Sequence, residues 1–487
     1  MSERLRSRDL ALLALESPSA PMHNATVEIF EPGDSGFDYD RLVELIRDRI
    51  SFVPRYRQRI QTIPGRMANP VWVDDENFDL GYHVRRSALP RPGSVDQLRE
   101  LVGRIIARPL DRHRPLWEMY LVEGLADGRI ALLSKSHHVL VDGIHTVDLG
   151  QVLLDVHPVP KVLGGDEWRP EAPVSTSTLV ADAVRDSVSD AGTVVDTVRS
   201  RTGAVLRGVE ATATSTGRIV NALTGRRPAR QSALSGTLSQ QRRFVSVRTD
   251  LADYRKVREV HGGSVNDVVL ATIAGGLRAW LMSRTESMGG LRQIRAVVPV
   301  SVIDEELEAT SLGTQIAAHF VDLPIGEPSA VVRLHQVSYS FQAHKETGRA
   351  VAANRLAGIA GFAPATFHAI GARVAARELR RGYQLSVTNV PGPQSPLYAA
   401  GARMVATYPV HPLMPGHPLT IAVTSYEGGV YYGVTADRDL LPDVDLLGPC
   451  LVEALDELLD TVSGARPRVP RGRKRAAKGA GSKEAKP

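Results

Sequence analysis

The pattern of hydrophobic and polar positions in residues 1–170 alternates between helical and strand-like periods. Apolar residues recurring every three to four positions predict helices, and short runs rich in β-branched and aromatic residues predict strands. The predicted elements are, in order, helix Tyr39–Ile50, strand Val71–Val73, helix Val95–Ile106 and strands Trp117–Val122 and Ile130–Ser136. Because the Asp127-Gly128 pair between the last two strands favours a turn, we expect a β-hairpin there.

The pattern weakens between residues 171 and 240, where Ser, Thr, Ala, Val and Gly dominate. Val180, Val184 and Val188 recur every four positions, which is typical of a weakly amphipathic helix. This stretch is therefore predicted to be a helical, partly flexible connector between two folded units.

Residues 241–465 return to the mixed pattern of the first third of the chain. Ser264 followed by Asp267 predicts the start of a helix, because such a pair satisfies free backbone amides at its first turn. The other predicted elements are strand Phe244–Val247, helix Leu251–Val260, a hairpin of Leu419–Tyr426 with Val430–Thr435, and helix Leu446–Leu459.

These elements predict an α/β protein with mixed sheets and two domains of similar size. We expect an N-terminal domain at residues 1–170, the connector at 171–240, a C-terminal domain at 241–465 and a disordered tail at 466–487. A total length of 487 residues supports this division, since single hydrophobic cores rarely exceed about 300 residues.

The net charge of +5 is concentrated in the tail. Residues 466–487 contain nine Lys and Arg against one acid, so the tail carries +8 and residues 1–465 carry −3. A slightly acidic body gives no indication of nucleic-acid binding.

Cysteine content and apolar segments indicate the compartment. A single cysteine, Cys450, forms no internal disulfide and no Cys-based zinc site, so a reducing cytoplasm is expected. Residues 1–6 begin no continuous apolar core, and we expect no export. The longest uncharged stretch, Leu356–Ala372, contains Gly358 and Pro364 and falls short of a spanning helix, so any membrane contact should be peripheral.

The most informative string is His137-His138-Val139-Leu140-Val141-Asp142-Gly143, which follows a predicted strand and precedes a helix. Side chains alternate along a strand, so His137 and His138 should point to opposite faces and only one can reach a given reaction site. A neutral imidazole can remove a proton from an alcohol near pH 7. Asp142 can orient the turn by pairing with an arginine, and Gly143 permits a tight backbone reversal.

Two other interpretations of this string remain open on the local pattern. The histidine can be a buried structural residue, or it can bind a metal together with His145. No cysteine or carboxylate cluster accompanies the histidines at the spacing of metal ligands, so no metal site is predicted.

The string matches the HHxxxDG signature of the CoA-dependent acyltransferase superfamily. Further motifs occur in order, from Ser17-Pro18 and Pro21-Met22-His23 through Pro115-Leu116-Trp117 and Asn266-Asp267 to Asn389–Pro393. With these motifs the chain resembles the bacterial wax ester synthase/diacylglycerol acyltransferase family from about residue 9 to 460.

The resemblance implies two chloramphenicol-acetyltransferase-like domains that face each other and form a central tunnel with His138 at its centre. His138 would act as general base on an alcohol, which then attacks the thioester of acyl-CoA directly. The implied product is triacylglycerol from diacylglycerol, with wax esters from fatty alcohols as a second product. Acyl-CoA is a substrate, and no cofactor is implied.

Each supporting motif also has a structural explanation. Pro115, Leu116 and Trp117 can anchor a strand, with Trp117 in the core. Asn266 and Asp267 can cap a helix, although Asn266 can also position substrate or stabilise an oxyanion. Asn389–Pro393 can be a turn or can shape the tunnel.

The sequence departs from the family pattern at one place. After Val298–Val302, where many relatives carry an arginine, it has Ile303 and Asp304. Asp142 then lacks its usual partner, and Arg295 is the substitute that we predict.

Long-chain acyl-CoA and a diacylglycerol or fatty alcohol are the expected partners. We expect a cytoplasmic protein that associates peripherally with the inner membrane or lipid droplets, either through its basic tail or with that tail serving only as a solubilising end. The alternatives are a lipid-binding or droplet-associated protein with low activity, and an acyltransferase for a different alcohol.

Overall fold

The computed structural model describes residues 3–31, 33, 36–63, 69–141, 149–160, 168–171, 177, 178, 181, 234–284, 292–302, 315–346 and 382–463. The helices are α1 Ser7–Leu15, α2 Tyr39–Arg49, α3 Leu80–His83, α4 Val95–Ile106, α5 His138–Val141, α6 Leu149–Val152, α7 Leu251–His261, α8 Val265–Ser283, α9 Ala330–Glu346 and α10 Leu447–Ser463. The strands are β1 His23–Glu31, β2 Gln58–Gln61, β3 Val71–Asp74, β4 Val84–Ala88, β5 Trp117–Glu123, β6 Ile130–His137, β7 Arg242–Asp250, β8 Ile294–Val302, β9 Gln315–Leu323, β10 Leu385–Val390, β11 Tyr398–Ala399, β12 Ala402–Val410, β13 Leu419–Tyr426 and β14 Gly429–Asp437.

The described strands form two six-stranded sheets and a small pair, β2 with β3. The first sheet has the order β11-β12-β1-β6-β5-β4, and the second has the order β7-β14-β13-β10-β8-β9. Both are mixed, since β4 runs parallel to β5 and β10 runs parallel to β8 and β13. The predicted α/β class with mixed sheets is confirmed.

Local signals place several of these elements. Helix α4 begins with a capping box in which Ser94 and Gln97 exchange hydrogen bonds, and Ser264 and Asp267 do the same at the start of α8. Both predicted hairpins are present as antiparallel pairs, β5 with β6 and β13 with β14. At the first turn Asp127 has a φ of 60° and the following Gly128 has a φ of 69°, a conformation that Asp and Gly tolerate best.

Helix α8 lies at the centre of the second domain, where it packs against α7, α9 and α10. A Cβ at Gly276 would lie 2.7 Å from Leu451 of α10, so only a hydrogen fits between the two helices. This helix is long and apolar enough to cross a membrane, with a mean hydropathy of 1.2, but 72% of that stretch is buried inside the fold. Its apolar composition is explained by the core.

The first sheet contains two strands from the second half of the chain, β11 and β12, which the predicted division into contiguous domains did not include. Strand β12 pairs antiparallel with β1, from Ala25 opposite Val410 to Glu31 opposite Arg403. The domain boundaries at 170 and 241 stay a prediction, and most of the connector and the whole tail lie outside the described residues.

The two sheets meet where β12 lies against β13 and β14. The phenol of Tyr431 donates a hydrogen bond to the carbonyl of Val405 over 3.2 Å, and its ring meets Tyr408 edge-on. A Cβ at Gly433 would lie 1.7 Å from the carbonyl oxygen of Pro409, so a glycine is required at this approach. The second half of the chain thus contributes β11 and β12 to the first sheet, and its own sheet packs against β12.

Candidate active site

His138 is the first residue of α5, directly after strand β6 ends at His137. Its backbone N–H donates to the carbonyl of Met22 over 3.0 Å, the residue that precedes β1. Strands β1 and β6 are paired from His23 opposite His137 onward. The change from strand to helix therefore takes place at a point that is fixed by the neighbouring strand.

The side chain of His138 contacts residues on the two strands beyond β6. Its Nδ1 atom lies 3.2 Å from Nδ2 of Asn24 on β1. The centroid of its ring is 5.3 Å from that of His411, the residue after β12. The three side chains thus lie at or directly beyond the adjacent ends of three neighbouring strands of the first sheet, β6, β1 and β12.

Burial keeps these imidazoles neutral. The pKa of His138 lies well below its ordinary value, chiefly because burial disfavours the charged ring. Electrostatic repulsion between protonated His138 and His411 or His137 lowers the pKa further. Burial also lowers the pKa of His411, to about 4. At pH 7 both rings are uncharged, which is the state in which an imidazole can accept a proton.

His137 turns away from His138 and has a structural role. Its Nδ1 accepts a hydrogen bond from the backbone of Val139 over 3.1 Å, and its Nε2 lies 3.6 Å from Oε2 of Glu16. Burial alone would raise the pKa of Glu16, but contacts with His137 and Arg112 lower it to about 2. His137 therefore links the segment after α1 to strand β6. Because His137 and His138 point in different directions, they cannot bind one metal ion together.

Pro115, Leu116 and Trp117 are buried at the start of β5. The carbonyl of Leu116 accepts a hydrogen bond from the backbone of His137 over 2.9 Å. The indole of Trp117 donates to the carbonyl of Tyr56 over 2.7 Å and stacks on His83, with ring centroids 4.6 Å apart. These contacts give the tripeptide the anchoring role that its structural interpretation predicts.

The two asparagine motifs of the second half contact each other. Asp267 completes the cap of α8 and also accepts a hydrogen bond from Ser338 over 3.1 Å. Oδ1 of Asn266 accepts a hydrogen bond from Nδ2 of Asn389 over 3.0 Å. Because Asn389 lies near the end of β10, this bond joins the first turn of α8 to the second sheet.

Asp142 and Gly143 lie outside the described residues, as do Ile303 and Asp304. Arg295, the predicted substitute partner of Asp142, is engaged elsewhere. Its guanidinium group binds the carboxylate of Asp322 on β9 through two hydrogen bonds of 2.7 and 3.1 Å. Because Asp142 lies outside the described residues, the pairing of Arg295 with Asp142 stays a prediction.

The sequence did not reveal Asn24 and His411 as site residues. Asn24 occupies an ordinary strand position, and His411 stands alone between Val410 and Pro412 in no motif. A small cavity lies beside His411 where the two halves of the chain meet, and its lining includes Pro21, His23, Arg242, His411 and Thr435. Only the pairing of β12 with β1 brings His411 to His138.

The arrangement provides a proton acceptor in a buried environment. Among the described residues, no group of three or more His, Cys, Asp and Glu is placed to bind a metal ion. The described partners of the His138 side chain are an uncharged amide and a second imidazole. A neutral ring in such surroundings is suited to act as a general base.

Comparisons with known proteins identify the same family in both halves of the chain. Residues 5–269 match the wax ester synthase/diacylglycerol acyltransferase catalytic domain, and residues 312–459 match the family's C-terminal domain. The probable diacylglycerol O-acyltransferase tgs3 of Mycobacterium tuberculosis is 41% identical over 269 residues, 53% of this chain and 96% of the relative. The probable diacylglycerol O-acyltransferase tgs1 of the same species is 32% identical over 424 residues, 87% of this chain and 88% of the relative.

Solved structures show the same relationship. The wax ester synthase/diacylglycerol acyltransferase of Marinobacter aquaeolei is 27% identical with a TM-score of 0.67, covering 95% of this chain and 100% of that one. The first condensation domain of the calcium-dependent antibiotic synthetase shares the fold at 17% identity and a TM-score of 0.55, covering 96% and 98%. The predicted two-domain fold is thereby confirmed, while the central tunnel stays a prediction.

Replacing His411 should raise the pKa of His138. In the His411→Asn variant the electrostatic repulsion between His411 and protonated His138 is lost, so one of the causes of the low pKa of His138 is removed. An NMR titration of protein labelled with ¹⁵N-histidine measures this pKa directly. His335→Asn, an exposed histidine on α9, is the matched control and should leave the titration of His138 unchanged. An unchanged or lower pKa of His138 in His411→Asn would contradict the electrostatic role of His411.

Proposed function

The chain belongs to the wax ester synthase/diacylglycerol acyltransferase family, and we propose that it forms triacylglycerol by transferring a long-chain acyl group from CoA to diacylglycerol. It is an acyl-CoA-dependent O-acyltransferase, as the matched catalytic domain and the relatives named diacylglycerol O-acyltransferase support. Fatty alcohols are a second proposed acceptor, giving wax esters, because the Marinobacter relative carries both activities in its name.

The observation that supports the mechanism is a buried, neutral imidazole at the end of β6. In the proposed reaction, His138 takes the proton from the acceptor hydroxyl, and the resulting oxygen nucleophile attacks the thioester carbonyl carbon. The tetrahedral intermediate then breaks its C–S bond. The departing CoA thiolate takes the proton from His138, which restores the neutral ring. Transfer is direct, so no acyl-enzyme forms, and the thioester itself provides the leaving group without a cofactor.

The oxyanion of the intermediate needs a hydrogen-bond donor, and Asn266 is the proposed one. Its Oδ1 is occupied by the Nδ2 group of Asn389, which leaves its own Nδ2 group to donate. In a site closed to water such a donor stabilises developing charge effectively. Asp267 is proposed to hold this turn through the helix cap, as a positioning residue.

Both lipid substrates are held in membranes or droplets, so we propose peripheral attachment of a cytoplasmic enzyme to the inner membrane or to lipid droplets. Each Lys or Arg near an anionic surface contributes about 1 kcal/mol, and residues 466–487 carry nine of them. The basic tail can therefore hold the enzyme where its substrates reside.

Deleting residues 466–487 should weaken binding to vesicles that contain anionic lipid, because the deletion removes nine clustered Lys and Arg and changes the net charge of the chain from +5 to −3. Co-sedimentation with anionic and with neutral vesicles measures the effect, and added salt should weaken binding of the full chain. Equal binding of the two proteins to anionic vesicles would reject the tail as the attachment site.

His138→Ala should lower the rate of acyl transfer by roughly 100- to 10,000-fold, which is the usual contribution of a general base. The assay supplies purified protein with palmitoyl-CoA and separately with diacylglycerol, hexadecanol and small alcohols, and follows the release of CoA thiol. His157→Ala, an exposed histidine, is the matched control and should retain the rate.

Three results would change the proposal. Equal CoA release by His138→Ala would reject His138 as the base. No release with any acceptor would favour a lipid-binding or droplet-associated protein. Release with small alcohols alone would favour an acyltransferase for a different acceptor.

A further inference from the structure

We propose that Asn24 is a positioning residue that selects the tautomer of His138 needed for proton transfer. The proposal rests on the function above, because it concerns how the base of that reaction is prepared. It assigns a role to a strand residue that belongs to none of the motifs identified in the sequence.

The backbone of Asn24 is held by the pairing of β1. In the register of β1 with β6, Asn24 lies opposite Ser136, and the next residue, Ala25, also lies opposite Val410 of β12. Pairing of Asn24 on one side and of its neighbour on both sides limits the position of its Cα atom. The carboxamide is thus held beside Nδ1 of His138, with Nδ2 at 3.2 Å.

The two ends of this carboxamide are unequally satisfied. Nδ2 faces the imidazole, while Oδ1 is buried and accepts no hydrogen bond from the described residues. A buried polar atom without a hydrogen-bond partner is unfavourable, whether it is the oxygen or the nitrogen of the carboxamide. Rotating the carboxamide by 180° places Oδ1 beside Nδ1 of His138, where it can accept a hydrogen bond from that atom, and moves Nδ2 to the buried position that Oδ1 held. The requirement of the reaction for a free Nε2, and not the burial of the amide, therefore selects this orientation.

The rotated amide decides which ring nitrogen carries the proton. A neutral imidazole has one N–H donor and one nitrogen lone pair. If Oδ1 of Asn24 accepts from Nδ1–H, the lone pair lies on Nε2, on the side of the ring away from Asn24. If Nδ2 donates to Nδ1 instead, Nε2 carries the proton and that nitrogen cannot act as base. The mechanism therefore needs the first arrangement.

An uncharged amide does this without raising the pKa of the base. A carboxylate at the same position would also accept from Nδ1–H, but its charge would stabilise the protonated ring. The titratable groups that interact with His138 are also histidines. His411 after β12 and His137 on β6 lower the pKa of His138, and His138 lowers the pKa of His23 on β1. Asn24 is consistent with that neutral environment.

Two substitutions that keep the approximate size of the side chain distinguish hydrogen bonding by Asn24 from its contribution to packing. Asn24→Leu removes the acceptor, whereas Asn24→Asp keeps an acceptor that cannot donate. We expect Asn24→Leu to lower kcat by roughly 10- to 100-fold with little change in KM, because the ring then favours the wrong tautomer. Asn24→Asp should retain more of kcat than Asn24→Leu and should move the acid limb of the pH–rate profile to higher pH. Asn77→Leu, at an exposed asparagine, is the control for the substitution itself.

The ¹⁵N chemical shifts of His138 report the tautomer without an assay of activity. The proposal predicts a protonated Nδ1 in the natural chain and in Asn24→Asp, and a loss of that preference in Asn24→Leu. A protonated Nε2 in the natural chain would overturn it, as would kcat and a pH profile in Asn24→Leu equal to those of Asn77→Leu. If His138→Ala retains full CoA release, the proposed function fails, while the tautomer measurement still tests the contact with Asn24.

Discussion

The pairing of β12 with β1 brings the two halves of the chain together at the candidate site. Strand β12 comes from the second half of the chain, yet it extends the first sheet beside the strand that carries Asn24. It ends at Val410, opposite Ala25, so the next residue, His411, lies beside His138. Strand β12 also packs against β13 and β14 of the second sheet. The same strand therefore joins the two halves of the chain and places His411 in the site.

Burial of the site has a direct electrostatic consequence. His138 and His411 resist protonation because a charged ring would lose its hydration in the interior. The base is therefore available at neutral pH, although a ring with a lowered pKa is also a weaker proton acceptor. This balance favours an uncharged neighbour such as Asn24 over a carboxylate, and it explains how two imidazoles can lie close together without repulsion.

The sequence predicted what local signals control. Helix α4 has the predicted bounds because Ser94 and Gln97 cap a clear apolar period, and the hairpin turns carry residues that accept positive φ. The candidate base was identified from a motif within one segment. The pairing of β1 with β12 joins residues that are 372 (Glu31 and Arg403) to 385 (Ala25 and Val410) positions apart in sequence. The hydrophobic pattern of either segment predicts a strand but not which strand it pairs with. For the same reason the contact of Asn266 with Asn389, and the place of His411, emerged only from the tertiary structure.

The mechanism requires the neutral ring of His138 to accept the proton of the alcohol. This step is tested by comparing the acid limb of kcat/KM for diacylglycerol-dependent CoA release with the pKa of His138 measured by NMR in the same preparation. We expect the two values to coincide well below the ordinary histidine value, and the rate to fall as the pH drops through them because a protonated ring cannot accept a proton. Acyl transfer that continues at full rate once His138 is protonated would contradict it.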